Sequence, residues 1–115
     1  MKTNRPTNET AKLLAQTLNT LSLVEYQPGS VVSRQIVKKP VGTVTLFAFD
    51  AGEGLSEHTA PFDALVNVLE GEAEISIAGQ AHRVKAGESI IMPANEPHAL
   101  KALVRFKMML TMIRA

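Results

Sequence analysis

From Ser22 onward the chain is written in short runs of β-branched and other apolar residues, broken every few positions by Gly or Pro. The runs are Leu23 to Tyr26, Val31 to Val37, Thr43 to Phe49, Leu65 to Leu69, Ala73 to Ile77, His82 to Lys85, Ser89 to Met92, Ala99 to Val104 and Phe106 to Ile113. Several short extended segments at this spacing predict an antiparallel sandwich or barrel. The clearest alternation is Glu72-Ala73-Glu74-Ile75-Ser76-Ile77, polar on one face and apolar on the other, followed by the turn Ala78-Gly79-Gln80-Ala81. The last run differs: Phe106, Met108, Leu110 and Met112 point one way, and Lys107, Met109, Thr111 and Ile113 the other. Both of its faces are partly apolar, so one should line the barrel while the other is covered by the N-terminal segment or a second subunit.

Before Ser22 the period changes. Thr7 stands as an N-cap ahead of Ala11, Leu14, Leu18 and Leu21, whose spacing predicts one amphipathic helix over 7–21. Its stripe is expected to pack on the outside of the barrel or on a partner. This divides a one-domain chain into an arm with a short helix, 1–21, and a barrel, 22–115.

Composition narrows the chemistry. With 12 Lys and Arg against 11 Asp and Glu, the formal charge is +1, so no global field favours nucleic acid or an anionic membrane as partner. Cysteine is absent, which removes disulfides, thiolate metal sites and thiol nucleophiles. Neither a signal-peptide core nor a membrane-span-length apolar run is present, and the expected compartment is the cytoplasm.

Two segments carry a resemblance. Residues 52–71 resemble the first motif of the cupin superfamily, with Gly52, His58 and Gly71 in register, while Ala60 and Ala64 stand at its second His and its Glu positions. Residues 87–102 are similar to the second motif through Gly87, Pro93 and His98, with Asn95 in place of a Gly and Ala102 in place of an Asn. The resemblance implies an all-β antiparallel double-stranded β-helix, a jelly-roll barrel with a short N-terminal helix. It also implies a site where three His and one Glu would hold a metal. Two of those four are alanine here, so no cofactor is expected beyond weak binding of a divalent metal through His58 and His98.

The residues themselves leave three functions open. If His58 points inward, as the resemblance implies, parity from the motif places Ala60, Ala64, Val66 and Val68 with it, and Leu100 and Ala102 with His98, on the inner face. The expected pocket is therefore His58, Ala60, Ala64, Val66, His98 and Leu100: an apolar space with two polar tips, suited to an uncharged or weakly anionic small molecule. The same positions could form an ordinary core with Met92, Met108 and Met112 as gap-fillers. A small-molecule-binding protein with a sensing or accessory role is the leading reading. The alternatives are a metal-dependent or metal-free isomerase, lyase or oxygenase, and a structural or interaction barrel. Asp63, one position off the Glu register, should point away from the pocket unless the Pro61-Phe62 loop relaxes parity. His82 is expected at the hairpin surface, and the single tyrosine, Tyr26, precedes the first clear strand. A homodimer burying Met109, Ile113 and the helix is expected from the two-sided last strand.

Overall fold

The computed structural model describes residues 8–115. The β-branched runs form nine strands: β1 Val31–Lys39, β2 Gly42–Phe49, β3 Gly54–His58, β4 Phe62–Glu70, β5 Glu72–Ile77, β6 Gln80–Lys85, β7 Ser89–Met92, β8 His98–Lys101 and β9 Phe106–Arg114. All pairings are antiparallel, in a five-stranded sheet of order β1-β2-β9-β4-β7 and a four-stranded sheet of order β3-β8-β5-β6. The expected jelly-roll barrel with a short N-terminal helix is what the chain forms. No helix among the described residues is long and apolar enough to cross a membrane.

Alternation decides which residues fill the space between the sheets. Phe49, Val66, Val68, Phe106 and Met108 from one sheet meet Ala73, Ile75, Val84 and Leu100 from the other, with Ala102 just past β8, in one continuous core. At its centre the rings of Phe49 and Phe106 meet edge to face with centroids 4.4 Å apart, an arrangement that adds to plain area burial.

The extent predicted for the N-terminal helix, 7–21, is corrected. Among the described residues only Asn8–Ala11 is α-helical, and a 3-10 helix at Thr20–Leu23 follows after an irregular stretch in which Ala15 sits at φ 57°. Thr7, its proposed cap, lies outside the described residues. A segment this short and rich in Thr and Asn cannot sustain a helix without a packed stripe, and the stripe does not pack: Leu14 and Leu21 are exposed. The next few residues pack instead. Leu23, Val24 and Tyr26 lie against Leu46, Ala48 and Met109 on the outer face of the five-stranded sheet, so 23–26 is a strap rather than a strand.

Polar contacts fasten that strap. Tyr26 donates its hydroxyl proton to Glu70 Oε2 at 2.6 Å, and its ring lies 5.0 Å from the Arg105 guanidinium and 5.1 Å from Lys107 Nζ. The nearly buried Lys107 ammonium donates to the Leu21 carbonyl at 2.6 Å, which supplies the partner that a charge on this covered face requires. Burial, and then the Glu70 carboxylate, push the Tyr26 phenol above its ordinary range. Arg34, paired with the outward Leu46, also faces the strap, where its Nη1 donates to the Leu23 carbonyl at 3.4 Å.

Candidate functional site

His58 and His98 come from neighbouring strands, and a fault in regular strand geometry brings them together. Across β3 and β8, Leu55 pairs with Leu100 and His58 with His98, so three steps on one strand match two on the other. The extra residue reverses parity. Leu55 and His58 therefore share the inner face, which a regular strand would forbid. The outcome is direct contact: the two Nε2 atoms are 3.1 Å apart and the rings meet edge to face with centroids 4.3 Å apart.

The other ring nitrogens fix the tautomers. His58 Nδ1 lies 2.8 Å from the Ser56 carbonyl and His98 Nδ1 lies 3.1 Å from the Glu96 carbonyl. A carbonyl oxygen can only accept, so each Nδ1 carries the proton and donates it. In the neutral pair both Nε2 atoms are consequently bare acceptors. Burial pushes His98 below its ordinary range, opposed by its bond to the Glu96 carbonyl and reinforced by His58 alongside.

The loop before His98 is suspended from the opposite sheet. Asn95 N donates to the Ala60 carbonyl at 2.8 Å, and Ala94 N donates to Asp63 Oδ1 at 3.0 Å. Asp63 thus faces away from the interior, as its parity requires, and serves as an anchor for the loop that carries the second histidine. Asn95 adopts φ 66°, a left-handed conformation that Asn tolerates better than most residues, so it can take a glycine's place there.

Of the residues expected around the pair, Ala64, Val66 and Leu100 are 3%, 0% and 4% exposed and belong to the continuous core. They are almost wholly covered, so at these three positions the ordinary filled core replaces the expected apolar space. Ala60, half-buried in the β3–β4 loop, and the exposed His58 form the open rim, with His98 behind them at 5% exposure.

Sequence reasoning missed the far side of this mouth. Phe47 and Phe49 point inward, so by period two Thr43 and Thr45 do as well, paired with the inward Met112 and Leu110. Phe62 and Arg114 are paired one step further out, the guanidinium 4.9 Å over the ring. The parity of β2 relative to its two phenylalanines was the available signal. His82, expected at the surface, is half-buried opposite Ile75 on the inner side of β6, two positions along from the row in which Ile77 meets His98. No hydrogen bond or ring contact among the described residues joins it to the pair. Tyr26 lies on the outer face and cannot serve the interior.

Two imidazoles do not make the donor set of a tight metal site. Among the described residues no group of three or more His, Cys, Asp or Glu side chains converges, and mononuclear sites usually need at least three protein donors. The residues present do not fit a resident metal. A separate cleft of about 520 Å³ lies outside the barrel between the strap and β1, where Glu9 and Glu25 face Lys12 and Arg34, charges of both signs with no shared focus.

Comparison with known proteins matches residues 45–113 to the family model described as Cupin domain. A conserved protein of unknown function from Streptococcus pyogenes is 36% identical, with a TM-score of 0.84 over 88% of this chain and 89% of that one. A cupin 2 conserved barrel domain protein from Leptotrichia buccalis is 44% identical, with a TM-score of 0.82 over 84% of this chain and 47% of that one. A cupin superfamily protein from Desulfitobacterium hafniense, 27% identical, aligns over 98% of this chain and 97% of its own with a TM-score of 0.82. No functionally curated protein matches significantly.

Proposed function

The chain belongs to the cupin family, and from that premise we propose that it is a small-molecule-binding cupin in which the motif histidines recognise a ligand instead of holding a metal. The observation that carries this reading is the His58–His98 pair itself: two Nε2 atoms in contact, with no third protein donor among the described residues, beside the partly buried Ile77 that pairs with His98. Concave apolar surface with a few convergent polar groups is the common form of a small-molecule site. A sensing or accessory role in small-molecule metabolism, inside the cytoplasm, suits a site that grips without supplying a catalytic metal.

The test is a fragment screen followed by proton NMR of the imidazoles, on protein purified without a polyhistidine tag. Fragments should move the His58 and His98 signals together and leave His82 in place, and His58→Ala should weaken their binding about tenfold or more, roughly the 1.4 kcal/mol that a polar contact is worth. If the tag-free protein carries nearly one metal per chain, the reading fails and a metal-dependent cupin enzyme takes its place.

A homodimer belongs to the same proposal. Met109, expected in the interface, lies under the chain's own strap, whereas Ile113, Ile91 and Leu65 remain uncovered on the outer face of the five-stranded sheet. Leu65 and Ile91 are cross-strand partners, so the apolar surface is contiguous there. Sedimentation equilibrium at micromolar concentration should give twice the chain mass, shifted toward the monomer by Ile91→Lys. A monomer for the unmodified chain removes the dimer.

A further inference from the structure

The tautomers of the histidine pair select the chemistry of what it binds. Each Nδ1–H is committed to a backbone carbonyl, at 2.8 Å from Ser56 O and 3.1 Å from Glu96 O. The nitrogens left to meet a ligand are two lone pairs 3.1 Å apart, and these repel each other until something electron-poor stands against both. A carboxylate or ether oxygen brings further lone pairs and would lose its hydration with no partner in return. The cations on this side of the barrel do not alter that: Lys38, paired with the inward Thr43, and Arg114, over Phe62, are both exposed at the rim.

Resting on the ligand-binding reading above, we propose that the group presented to His58 and His98 is a hydrogen-bond donor, a hydroxyl on an apolar body such as a phenol or alcohol. An O–H placed about 2.8 Å from each nitrogen closes a triangle on the 3.1 Å edge with its one proton shared. The partly buried Leu110, Met112 and Ile77 give the apolar body a surface to lie on. This narrows the expected uncharged or weakly anionic ligand to an uncharged one that donates a hydrogen bond.

Two measurements test it. Long-range proton–nitrogen NMR on labelled protein should show Nδ1 protonated and Nε2 bare in both rings; a proton on Nε2 in either neutral ring overturns the proposal whatever binds. Benzyl alcohol, benzyl methyl ether and benzoate are then titrated in parallel. The alcohol should move both imidazoles with an affinity at least about fivefold above that of the ether and of benzoate, the worth of one net hydrogen bond. Equal affinities overturn the donor proposal and leave ligand binding at the pair standing. Should none of the three disturb either ring, the ligand-binding reading falls and takes the proposal with it.

Discussion

Gly71→Ala should cost more than about 3 kcal/mol of folding stability, a large part of what a domain of this size has. Gly71 is the one residue between β4 and β5, where the chain leaves one sheet for the other, and its φ is 76°. A non-glycine residue in this conformation costs about 1 to 2 kcal/mol by itself. The larger part comes from space: an added Cβ would lie 2.1 Å from the Arg105 carbonyl oxygen and 3.0 Å from Phe106 Cα. These atoms lead directly into β9, so relief means moving the strand that supplies Phe106 to the core. Gly79→Ala is the control, since its φ is 81° and nothing lies within 4 Å of its added Cβ. Urea denaturation should show the Gly79 variant losing only the conformational part. Equal losses at the two sites would mean that the close approach to Arg105 carries no energy.

Ala64→Glu should make folding depend on metal when combined with Ala60→His. Ala64 pairs with Met92 and Met112 on the inner face and is 3% exposed. A carboxylate there without a partner should cost about 3 kcal/mol or more. The two changes restore the ligand types that the family resemblance assigns to these positions, close to His58 and His98. With zinc at a hundred times its dissociation constant the double variant should regain about 2.7 kcal/mol, read as a saturable rise in Tm. The unmodified chain should show no comparable rise. If zinc leaves the double variant unchanged, the positions assigned to Ala60 and Ala64 beside the pair are wrong. A matching rise in the unmodified chain would instead give it a metal site of its own.

The barrel was legible because its signals are local and repeated. Alternation within 72–77 sets two faces whatever the rest of the chain does, and Phe106, Met108, Leu110 and Met112 declare the inner side of β9 in the same way. Parity failed wherever a strand was irregular. Leu55 and His58 cannot both point inward by counting, and only pairing with β8 shows that a bulge makes it so; β3 itself was too short and polar to be read. The N-terminal stretch failed for a different reason. The spacing of Ala11, Leu14, Leu18 and Leu21 is helical, but what holds this region is the burial of Val24 and the bonds of Tyr26 and Lys107, all of them contacts with distant strands. Small residues left two readings open: Ala64 beside Val66 suggests either empty volume or a core that the neighbouring methionines fill, and the second is what the chain forms there.

Asn95 bears on how relatives of this chain are recognised. A pattern that demands glycine at that place scores the residue as a loss, yet the backbone angle of 66° is the one a glycine there would be chosen to supply. The requirement written into the motif is a dihedral angle, and two residue types meet it readily. A search profile that accepts Asn or Gly there, and judges the ligand positions separately, would divide the family by chemistry without splitting it by fold. Chains that keep the loop and both histidines but carry alanine at the other two ligand positions would then gather into a group of their own, whose members could be compared for what else lines the mouth.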